Sequence, residues 1–503
     1  MSASTELQLD GTTLSLSQLR AFESQRSQIT LAPSARTRMQ HSVDVVRNAV
    51  ATDRLAYGIT TGFGAFANKR ISADQVRQLQ LNLLRSHTTG IGEPLAPHLV
   101  RRMLLLKVNS LAAGYSGVRQ EVLDALLALL NHDVLPLIPE RGSVGASGDL
   151  APLAHMSLCL VGEGEAMHGD RRLERAAVCE AAGFRPLTLE AKEGLALING
   201  TQLSLSLALD GLFRAEALLD AAIVIGALTV DGLAGSYAPF DMRIHAASRL
   251  PHQVEVARRF GVLLTQSAIH SDHENCDRVQ DPYAVRCMPQ VLGAVEAALD
   301  HARSVLAAAA NGVSDNPLIF DTDILSGGNF HAEPLAMLSD YLGIAVTELA
   351  SMSERRTDLL DRRVNPALNM FLTTEPGLES GFMIAHVAAA ALTSENRTLA
   401  HPASVDNVTT SAGQEDHVSM APWAGYKLRR ICTNTAHVLA IELLAAAHAI
   451  DKLQPLKTTD RLQQVHGFVR RHVEYRPYDH RLDREIVTLA SLIETGTLSQ
   501  FLT

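Results

Sequence analysis

Along most of this chain apolar residues recur at helical spacing, with polar loops between the runs. The start is different. Leu7-x-Leu9, Asp10-Gly11 and Leu14-x-Leu16 alternate around a turn dipeptide and predict a small hairpin. Ser15-Leu16-Ser17-Gln18 then matches a capping box and predicts a helix start. Ser72-Ala73-Asp74-Gln75 is a second such box, followed by Val76, Leu79 and Leu83 on one helical face, with His87 four residues further along it. Val118, Val122, Leu126 and Leu129 mark another amphipathic helix, which the prolines of Leu135-Pro136-Leu137-Ile138-Pro139 prevent from continuing. An apolar run from Leu150 to Val161 predicts a further helix. Ala/Leu-rich stretches at 202–234, 291–312, 335–352, 382–392 and 435–450 predict long buried helices. No fixed-period repeat and no low-complexity linker interrupts them.

This pattern predicts a mainly α fold: a long-helix bundle core with a smaller N-terminal part carrying Gly-rich loops. The expected division is an N-terminal part over 1–200 and a central and C-terminal bundle over 201–503. Composition agrees. Of 503 residues, 47% are hydrophobic and only 4% aromatic, which suits closely packed helices better than a sandwich or barrel. A net charge of -10 argues against nucleic acid or an anionic membrane as partner. Five cysteines (Cys159, Cys179, Cys276, Cys287 and Cys432) are scattered without a C-x-x-C, as expected of thiols in a reducing compartment. The first residues lack a basic segment followed by an apolar one, and the run Ala221 to Val230 between two aspartates is too short to span a bilayer. A soluble, cytoplasmic protein is the expectation.

The loops carry the candidate chemistry. Arg141-Gly142-Ser143-Val144-Gly145-Ala146-Ser147-Gly148-Asp149-Leu150 has glycine at every third position and three small residues in a row. Its spacing fits neither phosphate-binding glycine motif, and an ordinary turn or anion-binding nest would suit it. A second possibility is that the backbone itself reacts. Gly148 N is an unhindered amide facing a small residue's carbonyl, so attack on Ala146 and loss of water from Ser147 would leave an electrophilic methylene. Tyr57-Gly58-Ile59-Thr60-Thr61-Gly62-Phe63-Gly64 is too glycine-rich for a helix, and Tyr57 is either packed there or held for use. His87 reads first as a satisfied core histidine, and alternatively as a ring pointing into a site. Asn199-Gly200 is a common turn pair, and Tyr283 and Arg286 share a face if their stretch is helical.

Taken in order, Tyr57-Gly58 with Thr61-Gly62-Phe63-Gly64, the segment Gly142 to Leu150, Asn199-Gly200-Thr201, Asp315-Asn316-Pro317 and Gly328-Asn329-Phe330-His331 resemble the aromatic amino acid lyases. The resemblance covers nearly the whole chain and weakens toward its C-terminal end. It implies a self-made 4-methylidene-imidazol-5-one from Ala146-Ser147-Gly148, with no external cofactor and no metal, and elimination of ammonia from an α-amino acid. It also implies a homotetramer whose sites combine residues from more than one subunit. Tyr57 is then the expected base, although a phenol with an ordinary pKa of about 10 needs neighbours that stabilise its anion. Arg286 would pair with the substrate carboxylate as a fork. Tyr283 and Asn199 would hold the carboxylate and the electrophile, and Gln280 and Phe330 would line the site. Either addition of the substrate amine or attack by its ring would use these same residues.

Substrate choice rests on two positions. Ser86-His87 resembles the pair found in relatives acting on histidine, and some tyrosine-acting relatives share it. Glu415, in Gln414-Glu415-Asp416-His417, stands where phenylalanine- and tyrosine-acting relatives place Gln. A carboxylate against a phenyl ring would be a desolvated charge without a partner, whereas an imidazole gives it one. Asn275-Cys276-Asp277 through Arg286-Cys287 is also of the histidine type. Thr60, Gly413 and Ala309 depart from that type. The alternatives are a tyrosine- or phenylalanine-acting lyase or aminomutase, and a non-catalytic helical scaffold or metabolite-binding relative. The signature loop of fumarase/aspartase-like enzymes has no counterpart here.

Overall fold

The computed structural model describes residues 6–24, 27–72, 74–273 and 278–502. It is mainly α, with nineteen α-helices among the described residues and only short two- and three-stranded sheets. Packing divides the chain into two compact units. The first comprises Met1–Asp210, Arg303–Ser339 and Pro402–Tyr426; the second comprises Gly211–Ala302, Asp340–His401 and Lys427–Thr503. Asn275, Cys276 and Asp277, with their expected histidine-type pattern, lie outside the described residues.

In the first unit the N-terminal hairpin does not form. Glu6–Leu9 pairs in parallel with Gln28–Leu31, across the helix Leu16–Ser24. The Asp10 carboxylate accepts from the amides of Thr12 and Thr13 at 2.8 and 2.9 Å, turning the chain towards the helix. Leu14 gives its N–H and C=O to the Asn311 side chain at 2.7 and 2.8 Å, so its backbone is unavailable to a strand. The capping box at Ser15 forms: Ser15 N donates to Gln18 Oε1 at 2.8 Å and Gln18 N to Ser15 Oγ at 3.2 Å. The one expected at Ser72 does not. Ser72 and Gln75 bond each other's side chains at 3.0 Å in a turn, and the helix begins after them, as Val76–His87.

Helices Pro97–Ala112 and Gln120–Asn131 pack in this unit, followed by the strand Val134–Pro136, which joins a three-stranded antiparallel sheet with Glu165–His168 and Arg171–Glu174. Pro139–Arg141 pairs antiparallel with Ile91–Pro94, and the helix Leu150–Leu158 follows. The glycine-rich loop 142–149 is therefore tied at both ends to regular structure.

The core of the second unit is built from residues 211–232, 288–302, 340–361 and 427–452 of helices Gln202–Gly232, Met288–Ala310, Glu333–Asp361 and Ala421–Lys452. Most of their Ala and Leu side chains are almost fully buried, as the composition predicts, although Ala294 is exposed. One buried ion pair crosses this core: Arg356 donates to both Glu442 oxygens at 2.5 and 2.7 Å, and Thr229 Oγ1 donates to Oε1 at 2.7 Å. Helix Glu333–Asp361 is long and apolar enough to cross a membrane, yet 67% of its most apolar window is buried inside the protein, as in a core helix.

Candidate active site

A cavity of about 740 Å³ in the first unit is walled by Tyr57, His87, Ser147, Asn199 and Glu415, with the aliphatic side chain of Leu83 between them. Five positions picked out by their residue chemistry thus converge from separate stretches of sequence.

The centre is the loop 142–149. Gly148 sits at φ +75°, and a Cβ there would lie 2.1 Å from Gly200 O, so no other residue fits. Gly148 and Gly200 run side by side as a parallel bridge, and Asp149 N donates to Gly200 O at 2.7 Å. Asn199 Nδ2 donates to Ser147 O at 3.0 Å, and Ser147 Oγ donates to Glu415 Oε1 at 2.9 Å. Backbone and side chain of Ser147 are therefore held from two directions. On the outer side, Ser419 Oγ donates to Gly145 O at 3.1 Å and Met420 N to Val144 O at 2.9 Å. Asp149 is fully buried at the start of helix Leu150–Leu158, where the helix dipole favours its charge. It accepts from Ser204 N at 2.8 Å and Ser204 Oγ at 2.9 Å. Burial pushes its carboxyl up to about 6, against those hydrogen bonds.

Tyr57 opens the loop 57–64. Its hydroxyl oxygen accepts from Gly64 N at 3.1 Å, and its ring meets Phe63 edge-on at 6.4 Å. A backbone N–H aimed at a phenolic oxygen stabilises negative charge developing there. Thr60 works inside the loop: its Oγ1 donates to Arg54 O at 2.7 Å and accepts from Ala56 N at 3.0 Å. Thr60, Gly413 and Ala309, the three departures from the histidine-type pattern, are all absent from the cavity wall.

His87 ends helix Val76–His87. Its Nδ1 lies 2.8 Å from Leu83 O, and because a carbonyl only accepts, Nδ1 carries the hydrogen and Nε2 keeps its lone pair. Burial lowers the His87 pKa, opposed by the Leu83 hydrogen bond and by the Glu415 charge. Glu415 Oε2 accepts from Thr410 Oγ1 at 2.7 Å, and the two residues form an antiparallel bridge. Asn199 Oδ1 is buried without a hydrogen-bond partner, which leaves an acceptor beside the cavity for a substrate donor.

Six expected residues are not on this wall: Ala146 and Gly148, on either side of Ser147 in the loop, and four others. Phe330 belongs to the first unit, in the loop that precedes helix Glu333–Asp361. Gln280, Tyr283 and Arg286 belong to the second unit. Tyr283–Arg286 is a single helical turn in which the Arg286 guanidinium lies 4.5 Å from the Tyr283 ring centroid, and Tyr283 is 69% exposed. Sequence reasoning missed Thr410 and the buried Lys107, whose Nζ donates to Asn199 O at 2.8 Å. Neither carries a local signal.

The unit's arrangement defines a class first: a mainly helical protein whose cavity is built around a glycine-rich, backbone-strapped Ala-Ser-Gly loop with a tyrosine opposite. The chain belongs to the aromatic amino acid lyase family, whose model matches residues 14–471. It is 48% identical over 499 residues to a histidine ammonia-lyase of Pseudomonas fluorescens, covering 99% of this chain and 98% of that protein. The crystal structure of histidine ammonia-lyase from Trypanosoma cruzi is similar at a TM-score of 0.91 and 37% identity, covering 99% of this chain and 95% of that one. The tyrosine aminomutase of Streptomyces globisporus is similar at a TM-score of 0.92 and 33% identity, over 99% and 98% of the two chains.

Proposed function

We propose that this protein eliminates ammonia from L-histidine, giving trans-urocanate. The observation that carries the reading is the hydrogen bond of 2.9 Å between Ser147 Oγ and Glu415 Oε1, in a cavity that His87 and Tyr57 also line. It brings the precursor of the electrophile beside a carboxylate able to accept from an imidazole N–H, and no phenyl ring could satisfy that carboxylate.

The residues fit a ring closed from Ala146-Ser147-Gly148. Gly148 leaves no room for a side chain, and Asn199 Nδ2 already donates to Ser147 O, which would become the ring's carbonyl oxygen. Once formed, the group supplies an electrophilic carbon that draws electron density from the substrate and helps its nitrogen leave. The chain's own side chains do the rest. Tyr57 takes the β-proton on its oxygen, with Gly64 N–H stabilising the charge. Asn199 Oδ1 accepts from the substrate amine. Glu415 accepts from the imidazole N–H, and His87 shares the same wall beside the ring.

The substrate carboxylate needs a cation, and Arg286 with Tyr283 is the pair we assign to it, with Gln280 and Phe330 completing the walls. We infer a homotetramer with shared sites. The second unit supports self-association by its exposed apolar pairs one helical turn apart, Tyr341 with Ile344 and Ile384 with Val387. A reducing cytoplasm suits the thiols: Cys159, Cys179 and Cys432 are buried, and none of them is in a disulfide.

The test is a panel of histidine, tyrosine and phenylalanine, read by the ultraviolet absorbance of the conjugated acid. Urocanate from histidine is expected. Coumarate or cinnamate without urocanate would replace this reading with that of a tyrosine- or phenylalanine-acting relative. Intact mass is expected to show a chain lighter by two waters; a full-mass, inactive protein would leave only a scaffold.

A further inference from the structure

We propose that Lys107 is the positioning residue for closure of the Ala146-Ser147-Gly148 ring, acting through the Asn199–Gly200 turn. The inference rests on the ring-forming function proposed above.

Lys107 lies on helix Pro97–Ala112, is 1% exposed, and has no place on the cavity wall. Taking an ammonium out of water is costly, so its burial calls for a role. Nζ donates to a backbone carbonyl, Asn199 O, at 2.8 Å. The carboxylates that face it have other close partners: Asp315 receives Lys192 Nζ at 2.5 Å, and Asp149 receives Ser204 N at 2.8 Å. Burial lowers the Lys107 pKa to about 7; Asp315 and Asp149 oppose the change and Lys192 adds to it. Charged or neutral, the amine remains a donor to that carbonyl.

The turn it holds touches the reactive tripeptide at Ser147 and Gly148, and the next residue, Asp149. Asn199 Nδ2 donates to Ser147 O at 3.0 Å, Gly200 O accepts from Asp149 N at 2.7 Å, and Gly200 presses on Gly148 closely enough to exclude a Cβ. The turn is the surface against which the tripeptide bends, and Lys107 braces it from behind.

Closure needs that brace. Gly148 N forms a bond to the Ala146 carbonyl carbon, and the Ala146 oxygen departs as water with one hydrogen from Gly148 N and one from Ser147 N. Ser147 Oγ departs as the second water with the Ser147 Cα hydrogen. No outside reagent is consumed. An amide nitrogen is a weak nucleophile, so the rate depends on how closely the backbone is held.

The test follows newly made chains in cell-free synthesis, isolating the folded fraction by size exclusion and timing the loss of two waters by intact mass. Wild type, Lys107→Arg, Lys107→Gln and Lys107→Met are compared, with melting temperatures recorded. Folded Lys107→Met is expected to convert on the order of 100-fold more slowly than wild type, the cost of a misplacement near 1 Å. Lys107→Arg, which can still donate, should recover most of the rate, and the order of conversion should follow donor reach instead of melting temperature. Folded Lys107→Met converting at the wild-type rate overturns the proposal. If that variant yields no folded chain, Lys107→Gln decides, because its amide ends one bond short: slow conversion supports the brace and a wild-type rate overturns it. A wild-type chain that stays at full mass overturns the ring itself, and this inference with it.

Discussion

Substrate choice concentrates on one carboxylate. Before the ring closes, Glu415 accepts from Ser147 Oγ and Thr410 Oγ1, one on each oxygen; once the Ser147 oxygen has left as water, Thr410 still holds Oε2 and Oε1 is open to a substrate donor. Glu415→Gln keeps the shape but exchanges an acceptor-only group for one that also donates, and it removes the charge an imidazole N–H would answer. We expect kcat/KM for histidine to fall by roughly 100-fold or more, by the logic of a site left with a mismatched polar partner, and the residual rate on tyrosine to fall far less. Steady-state kinetics on both substrates would decide; equal losses would remove Glu415 from its assigned role. At this scale, residues whose chemistry stands out in the sequence (Tyr57, His87, Ser147, Asn199 and Glu415) meet in one cavity. Lys107 was invisible, because a lysine in the run Leu104-Leu105-Leu106-Lys107-Val108 reads as a snorkelling surface residue. Only the distant carbonyl of Asn199 gives it meaning. Thr410 was hidden for the same reason: a threonine in a polar loop has many bland uses.

Two helices carry much of the wall, and a single glycine sets their distance. Helix Val76–His87 ends in His87, and the short helix Glu193–Ile198 delivers Asn199. Gln80 Oε1 accepts from Leu195 N at 3.2 Å, and a Cβ on Gly194 would sit 2.8 Å from the backbone oxygen of Gln80. Gly194→Ala gains up to about 1 kcal/mol of helix propensity. It also forces a wider spacing on backbones that cannot swing aside, at a cost of about 1–3 kcal/mol. The second effect should win. A lower urea midpoint and a raised KM are expected, since His87 moves with its helix; a stabilised variant with unchanged KM would show that the two helices are not coupled in this way. Elements of this kind were legible wherever the pattern was long and local, as in the predicted stretches 202–234 and 335–352, which fall on helices Gln202–Gly232 and Glu333–Asp361. The N-terminal hairpin failed because the partner of Glu6–Leu9 lies beyond an intervening helix, and the Ser72 box failed because its side chains close on each other. Both outcomes were set by pairings that no local window contains.

The division of the whole chain follows from such non-local pairs. Leu14 with Asn311 and Lys192 with Asp315 bind residues 303–339 into the first unit, far from their neighbours in sequence. Helical periodicity has no access to that. The same scale raises the question of completeness, because every wall residue of the cavity comes from the first unit while Arg286 and Tyr283 belong to the second. If Arg286 meets the substrate carboxylate, as proposed above, the remaining question is which copy of the chain supplies it. Complementation answers it. Ser147→Ala lacks the electrophile and Arg286→Ala lacks the cation, and each alone should be almost inactive. If sites are shared between copies, co-expressing the two variants assembles some cavities with an intact Ser147 from one chain and an intact Arg286 from another, and urocanate formation returns. The recovered activity should depend on assembly: mixing the separately purified oligomers should give none until the subunits are dissociated and reassociated. Silence after verified hybrid assembly, with heterotypic oligomers seen by native mass spectrometry, would assign Arg286 to its own chain and confine each active site to a single copy.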